Sequence, residues 1–258
     1  MKPIKFEKKA GIAKITLNRP KVFNSINQEM ALGLQDCLDQ SAEDDKVRVV
    51  LLTGVGKAFC AGQDLNEVTA GDGPSISELI TVQYNPIVRK IIRMEKPVVA
   101  AVNGVAAGAG LNLALCCDLV IAKKGIKMIQ GFGRIGLIPD SGGTYTLPRL
   151  IGLQRSKAMM FLNDPITADD AESMGLIYRA VSAKIFVSEV DALCIRLSQL
   201  ATKAIGLTKR ALNHSLKNDL ETQLGIEEQL QATASQSEDC REGIRAFLEK
   251  RQPKFNGK

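Results

Sequence analysis

The sequence has a single histidine, His214, and no tryptophan, and aromatic residues make up only 4% of its 258 residues. Most nucleophile-plus-base sites and most zinc sites use at least one imidazole. His214 lies in KRALNHSLK, an amphipathic stretch with basic neighbours, where a solvated or structural role is favoured. Proton chemistry is therefore expected to depend mainly on carboxylates. Few aromatic side chains remain for a site that binds nucleic acid by base stacking.

Long apolar runs and paired cysteines are also absent. No run reaches the roughly 18 apolar residues that a membrane-spanning helix needs, and the opening MKPIKFEKKAGIAK lacks the apolar core of a secretory signal. The six cysteines form no C-x-x-C pair, so neither a zinc ribbon nor a dithiol redox site is indicated. We therefore expect a cytoplasmic protein with no membrane partner and no metal.

The charge balance is modestly basic, with 34 lysines and arginines against 28 aspartates and glutamates. Basic clusters are interleaved with acidic residues and form neither an arm nor a repeat, so we expect no nucleic-acid partner. A surplus of this size suits a small polyanionic ligand.

The order of strand-like and helix-like segments indicates an α/β protein. The opening favours a β-hairpin with its turn at Gly11, followed by a helix from about residue 28 to 44. The runs VRVVLLTG and PVVAAVNG are typical of strands that are buried on both faces. A helix around residues 76–95 is expected to be interrupted or kinked at Pro86. After about residue 153 helical segments dominate, so the α/β core carries an appended helical section.

The segment GFGRIG, residues 131–136, has the spacing of a dinucleotide-binding loop but not its context. The following residues LIPDSGG would interrupt the helix that this motif requires, and no acidic residue stands about twenty positions later. We therefore reject a dinucleotide site here.

Three other glycine-bearing segments, KAFCAGQDL, NGVAAGAGLNLAL and RIGLIPDSGGT, each follow a strand-like run. Tiny residues let the backbone approach a ligand closely, and a helix beginning near Gly108 would point free N–H groups at it. Such donors can form an oxyanion hole, although each segment taken alone is more typical of tight packing between elements.

Together these segments, with ITLNRPKVFNSIN, ITADDAESMGLI and REGIRAFLEKRQPKF, resemble the crotonase (enoyl-CoA hydratase/isomerase) family over essentially the whole chain. The resemblance implies an α/β fold of ββα units in a superhelical spiral, expected over residues 1–195. Residues 196–258 would form a helical trimerisation region, giving a homotrimer or a homohexamer. It also implies an acyl-CoA thioester substrate, so coenzyme A is part of the substrate and no separate cofactor is expected.

The resemblance assigns site residues by motif. Two backbone N–H groups, those of Ala61 and Ala109, would hold the thioester oxygen. Candidate contacts with coenzyme A are Lys21, Ala61, Gln63, Asp64 and Leu65, with Phe247 and Lys250 approaching from a neighbouring subunit. Ordinary alternatives are a core anchor for Phe247 and a solvated face for the lysines.

The catalytic carboxylates distinguish the reactions of this family. Hydratases use two glutamates, and this chain has Asn112 and Phe132 at those positions. Asp140, in LIPDSGG, stands where isomerases of the family carry their working carboxylate, although P-D-S-G is also a strong turn signature. Asp64 is a second catalytic candidate, with helix capping as its more ordinary role.

The sequence therefore predicts an acyl-CoA isomerase with Asp140 as its single acid and base. A ring-epoxide thioester and a 3-enoyl-CoA are the candidate substrates. A 2-enoyl-CoA hydratase and a non-catalytic protein that binds acyl-CoA or RNA are the alternatives.

Overall fold

The computed structural model describes residues 2–69 and 73–258. The strands of this part of the chain are β1 Ile4–Lys9, β2 Ile12–Leu17, β3 Val49–Gly54, β4 Ala58–Cys60, β5 Val98–Val102, β6 Val105–Ala107, β7 Leu119–Lys123, β8 Lys127–Ile129, β9 Ile166–Thr167 and β10 Arg179–Val181.

The α-helices of the same residues are α1 Gln28–Glu43, α2 Leu65–Thr69, α3 Ile76–Glu78, α4 Asn85–Arg93, α5 Ala109–Leu115, α6 Gly143–Leu162, α7 Ala168–Ser173, α8 Phe186–Ser198, α9 Thr202–Ser215, α10 Leu220–Ser235 and α11 Glu238–Leu248. A π-helical segment, Leu79–Tyr84, leads into α4, and a short 3-10 helix covers Phe132–Ile135.

Two sheets are built by strands that alternate between them along the chain. The larger sheet has the order β1-β2-β3-β5-β7-β10, and the smaller has the order β4-β6-β8-β9. The pairs β3 and β4, β5 and β6, and β7 and β8 each give one strand to each sheet, and helical segments follow each pair. This is a ββα repeat wound as a spiral.

The opening hairpin is confirmed, since β1 and β2 pair antiparallel, with Ile4 opposite Leu17 and Lys9 opposite Ile12. From β2 onward the larger sheet is parallel. Parallel strands are covered by helices on both faces, which explains the continuous apolar runs in the sequence.

The core confirms this burial on both faces of the larger sheet. Val50 and Leu52 of β3 belong to the main apolar cluster, which includes residues of α1 and α4. Val49 and Leu51, which alternate with them, pack into a second cluster with residues of α8. The expected boundary between residues 195 and 196 therefore falls inside a helix that covers the sheet.

The region around Pro86 differs from a simple kinked helix. The chain changes from the π-helical segment to α4 at Asn85, and Pro86 lies in the first turn of α4. Tyr84 and Asn85 both have helical φ and ψ, so the chain stays helical through the junction. The expected interruption at Pro86 therefore takes the form of a change of helix type.

The chain ends in the helices α9, α10 and α11, as expected for its last third. Their exposed apolar side chains include Leu212, Leu216, Leu220, Leu224, Ile244, Phe247 and Leu248. None of the helices in the described ranges has the length and apolar character needed to cross a membrane.

The packing of α5 against β4 generates a stability prediction. A Cβ on Gly110 would lie 2.5 Å from the carbonyl oxygen of Cys60 and 2.6 Å from its Sγ. We expect Gly110→Ala to lower the free energy of unfolding by about 1–3 kcal/mol, because overpacking forces the backbone apart. Urea unfolding measures the change.

Gly33→Ala in α1 is the matched control, since its Cβ would meet only Ile4, at an ordinary 3.5 Å. The better helix propensity of alanine should make this variant neutral or more stable, by up to about 1 kcal/mol. Equal unfolding curves for the two variants would contradict the close packing of α5.

Candidate functional site

A cavity of about 380 Å³ lies where the three glycine-bearing segments meet. KAFCAGQDL follows β3, NGVAAGAGLNLAL includes β6 and α5, and RIGLIPDSGGT runs from the 3-10 helix into α6. The sequence predicted that these segments act together, and the structure places residues of all three on one cavity wall.

The cavity wall is mostly apolar. Its large apolar side chains are Leu65, Val68, Ile76, Leu79, Ile80, Phe132, Ile135 and Leu137. Gln63, Tyr84, Gln130 and Asp140 are the polar residues of the described wall. An apolar wall with a few polar groups is typical of a small-molecule site.

Ala109 lies where the resemblance predicted, at the first position of α5 and on the cavity wall. Its backbone N–H has no acceptor within residues 2–69 and 73–258. This is the normal state of the first N–H groups of a helix, which have no partner one turn earlier. Ala109 can therefore donate to a ligand oxygen.

The expectation for Ala61 needs correction. Its backbone N–H donates to the carbonyl oxygen of Phe23 at 3.0 Å, so this donor is engaged within the fold. Two residues later, Gln63 forms a parallel bridge with Ile26. In this bridge the Ile26 N–H donates to the carbonyl of Gly62, and the Asp64 N–H donates to the carbonyl of Ile26. Successive N–H groups of an extended segment point to opposite sides, so the N–H of Gln63 points away from Ile26.

Gln63, rather than Ala61, thus has a backbone N–H that is free to donate to a ligand. Its N–H finds no acceptor in the described part of the chain, and the residue lines the cavity. Its side chain is fixed at both ends, because the Tyr84 hydroxyl donates to Oε1 at 2.7 Å and Nε2 donates to Glu67 at 2.8 Å. Successive N–H groups alternate in direction along an extended segment such as CAGQD, and this alternation could have pointed to Gln63 from the sequence.

Gly62 brings the two donor segments together. A Cβ on this residue would lie 3.1 Å from the carbonyl oxygen of Ala107 and 3.4 Å from the amide nitrogen of Ala109. Its φ of +92° also lies in the region that favours glycine. The absence of a side chain here therefore allows KAFCAGQDL to contact the start of α5.

Asp140 lies on the cavity wall, half-buried, in the turn before α6. The hydroxyl of Ser141 donates to its Oδ1 at 2.8 Å, and no cation pairs with it among the residues described. Burial raises the pKa of the Asp140 carboxyl, and the hydrogen bond from Ser141 partly offsets this. The turn role is also real, since Gly143 N–H donates to the Asp140 carbonyl at 2.9 Å.

Asp64 has a different environment. Its Oδ2 forms an ion pair with Arg19 at 2.8 Å, and its Oδ1 accepts from the backbone N–H of Asn66 at the start of α2. Asp64 does not belong to the described cavity wall, whereas its neighbours Gln63 and Leu65 do. The geometry therefore favours the capping role for Asp64.

The two positions where hydratases carry glutamates are occupied as the sequence indicated. Phe132 lines the cavity. Asn112 is fully buried behind Ala109, and its amide donates to the carbonyl oxygen of Asp140 at 2.8 Å. Neither side chain can exchange a proton near neutral pH.

The remaining candidates lie away from the cavity. Lys21, Phe247 and Lys250 are exposed and absent from its described wall, and Phe247 is 83% exposed, so it is not a core anchor of this chain. His214 is exposed on α9, as its basic surroundings suggested. The 3-10 helix at Phe132–Ile135 confirms that no nucleotide-binding helix opens on GFGRIG.

Comparison with known proteins gives a match over nearly the whole chain. The family model described as Enoyl-CoA hydratase/isomerase matches residues 7–258. The 1,2-epoxyphenylacetyl-CoA isomerase of Escherichia coli (strain K12) is 43% identical over 251 residues, which cover 96% of each chain. A protein of Rhodobacter capsulatus named probable enoyl-CoA hydratase is 42% identical and covers 99% of this chain and 98% of its own.

Solved structures agree with the sequence matches. The enoyl-CoA hydratase of Bacillus anthracis superposes with a TM-score of 0.91 at 32% identity, covering 99% of this chain and all of the other. A superposition this complete includes the spiral sheets and the C-terminal helices.

The contact at Gly62 generates a prediction for activity. Gly62→Ala would strain the backbone and put a methyl group beside the Ala109 nitrogen, so we expect kcat/KM for an acyl-CoA thioester to fall at least about 10-fold. Steady-state kinetics with purified protein measure the change.

Gly56→Ala is the control for backbone strain alone. Its φ is +82°, and its Cβ would meet only Pro20, at 3.4 Å. We expect this variant to lose some stability and to keep kcat/KM within about twofold. Equal activity losses in the two variants would mean that Gly62 acts only through folding.

Proposed function

Because the chain belongs to the enoyl-CoA hydratase/isomerase family and has its crotonase fold, we propose that it is an acyl-CoA isomerase with Asp140 as its single acid and base. The wall of the cavity carries this proposal. Asp140 is the one carboxylate among its described residues, and Asn112 and Phe132 replace the two glutamates of a hydratase. Hydration needs one group to activate water and another to deliver a proton, whereas isomerisation needs one group to carry a proton.

For a 3-enoyl-CoA the steps balance without water or cofactor. The Asp140 carboxylate removes a proton from C2, beside the thioester, and the electrons delocalise onto the thioester oxygen. The N–H groups of Gln63 and Ala109 stabilise this enolate, each contributing about 2.7–4 kcal/mol by analogy with other oxyanion sites. The protonated Asp140 then returns the proton to C4, which gives the conjugated 2-enoyl-CoA.

A ring-epoxide thioester is the second candidate substrate. Asp140 would again remove the acidic proton beside the thioester, the enolate would rearrange the epoxide-bearing ring, and the same proton would be returned. The name of the Escherichia coli relative supports this substrate, and the apolar wall around Phe132 and Leu137 suits a ring.

Contacts with coenzyme A and the assembly of subunits belong to the same proposal. Lys21 would lie near the nucleotide part, and Phe247 and Lys250 would approach it from a neighbouring subunit of a homotrimer or a homohexamer. The exposed apolar side chains of α9–α11 and the exposure of Phe247 support such a contact. The positive net charge suits the phosphates, and the enzyme would act in the cytoplasm.

The alternative of a 2-enoyl-CoA hydratase is supported by the name of the Rhodobacter capsulatus relative. It would require a second acid across the cavity from Asp140, and the described wall offers none. A non-catalytic role is disfavoured because the free donors, the apolar cavity and Asp140 are all assembled at one place.

The role of Asp140 is tested with 3-hexenoyl-CoA in deuterated water. We expect the wild type to form the 2-isomer and take up deuterium, and Asp140→Asn to lose both by at least about 100-fold, because an amide cannot accept the proton. Mass spectrometry follows the label, and the ring epoxide forms a second arm.

Asp64→Asn is the comparison variant, and its proton exchange per folded molecule should change far less than that of Asp140→Asn. Wild-type exchange in Asp140→Asn would refute the assigned base. A wild-type product heavier by one water would establish the hydratase reaction instead.

The hydrogen bond from Ser141 predicts a pH effect. The base must be ionised, so kcat falls as the pH drops through the pKa of Asp140, which burial has raised above the ordinary value of an aspartate. Ser141→Ala removes a donor that stabilises the carboxylate. The pKa should then rise further, and the acidic limb of the kcat profile should move to higher pH.

Ser41→Ala serves as the control, since its buried hydroxyl donates to the carbonyl oxygen of Cys37 within α1. Its pH profile should match the wild type. If the acidic limb of the kcat profile does not move in Ser141→Ala, the limb does not reflect the ionisation of Asp140.

A further inference from the structure

Asn112 is a buried amide whose two polar ends are both occupied. It lies on α5, one turn after Ala109, and is fully buried. Its Nδ2 donates to the carbonyl oxygen of Asp140 at 2.8 Å, and its Oδ1 accepts from Nε2 of Gln130 at 3.0 Å. The side chain therefore links α5 to the turn that carries Asp140.

The turn that carries Asp140 packs directly against the side-chain amide of Asn112. Gly143 N–H donates to the same carbonyl of Asp140 at 2.9 Å, and a Cβ on Gly143 would lie only 2.3 Å from Nδ2 of Asn112. A carbonyl that accepts two hydrogen bonds has little freedom to rotate its peptide. The backbone of Asp140 is thus fixed from α5 on one side and from α6 on the other.

A second contact one turn further along α5 supports the first. The thiol of Cys116 donates to the carbonyl oxygen of Ser141 at 3.4 Å. Residues four apart lie on the same face of a helix, so Asn112 and Cys116 hold two successive carbonyls of one turn. Ser141 has a φ of +50°, a conformation that side chains rarely adopt and that surrounding contacts must maintain.

In the cluster formed by Gln130, Asn112 and Asp140, Gln130 donates to Asn112 and Asn112 donates to the Asp140 carbonyl. Since Asp140 presents a carbonyl, Asn112 must turn its NH₂ group toward it and its Oδ1 toward Gln130. Gln130 must then donate, which leaves its own Oε1 buried with no partner in the part of the chain that is described. An unpaired buried oxygen is unfavourable, and this orientation persists because the reversed amide would place two oxygens against each other.

We propose that Asn112 is a positioning residue that sets the place of the Asp140 carboxylate relative to the oxyanion donor Ala109. Ala109 and Asn112 lie one turn apart on α5. This short helix would therefore place the oxyanion donor directly and the Asp140 carboxylate through Asn112. This inference rests on the proposed role of Asp140 as acid and base. It assigns to Asn112 a purpose that differs from that of the glutamate found there in hydratases.

Asn112→Leu tests the inference, since leucine has the same branching at Cγ, although it is larger, and cannot donate to the Asp140 carbonyl. We expect kcat for deuterium exchange into 3-hexenoyl-CoA to fall about 10- to 100-fold, as expected for a misplaced reacting group. KM should stay within about twofold, because the cavity wall and the Ala109 donor are unchanged. A loss of folding alone lowers the apparent kcat and leaves KM unchanged, so kcat is calculated per folded molecule, with the folded fraction measured by circular dichroism.

Asn18→Leu is the matched control. Asn18 is buried and donates to the carbonyl oxygen of Lys2 at 2.9 Å, outside the cavity wall. It should lose stability and keep kcat per folded molecule. If Asn112→Leu fails to fold, Gln130→Met takes its place, and we expect a smaller fall in kcat because only the outer donor of the cluster is lost.

The outcomes separate the two proposals. Loss of exchange in Asp140→Asn, with wild-type kcat in both Asn112→Leu and Gln130→Met, would overturn the positioning role and leave the isomerase proposal intact. Wild-type exchange in Asp140→Asn would overturn both. A selective fall in kcat in Asn112→Leu, alongside an inactive Asp140→Asn, supports both.

Discussion

The close packing of α5 against β4 determines the positions of the polar groups that α5 contributes to the site. Gly110 lies against the carbonyl and side chain of Cys60 with no room for a Cβ. This contact fixes the axial position of α5, and with it the free N–H of Ala109 at its start and the amide of Asn112 one turn later. Side chains of ordinary size at Gly110 would move the helix and all these groups together.

The two carboxylates near the site, Asp64 and Asp140, differ in their hydrogen-bond and ion-pair partners. This difference indicates which of them has a structural role and which is available for proton transfer. Asp64 is bound by Arg19 and by Asn66, so its charge is already compensated. Asp140 has the hydroxyl of Ser141 and an apolar surrounding, and burial raises its pKa. The raised pKa makes Asp140 a better proton acceptor than an ordinary aspartate, because protonation relieves the unfavourable burial of its charge.

The sequence was sufficient for most of the architecture. Alternating and continuous apolar runs predicted the hairpin, the strands buried on both faces and the helical end of the chain, because burial on one or two faces leaves a direct periodic pattern. The three glycine-bearing segments predicted the location of the cavity. The order and spacing of these segments and of the other quoted motifs also indicated the family, which the match over residues 7–258 confirms.

Other features depend on geometry that leaves little trace in the residue types. Whether Ala61 or Gln63 offers a free N–H is decided by the direction of two peptide groups, and both residues fit the motif. The π-helical segment before Asn85 was not predicted, and the boundary placed between residues 195 and 196 falls inside α8. Periodicity alone does not resolve helix type or helix ends to within a residue.

The exchange of a carboxylate for an amide at residue 112 changes more than the number of acids. An ionised carboxylate has only acceptors, so it could not donate to the Asp140 carbonyl. Asn112 supplies one donor and one acceptor, and it connects the turn of Asp140 to Gln130. In the proposed isomerase, Asn112 therefore has two effects: it leaves out a hydratase glutamate and it holds the turn of Asp140. Residues 112 and 140 then act as one unit, in which the proposed acid and base is both isolated and oriented.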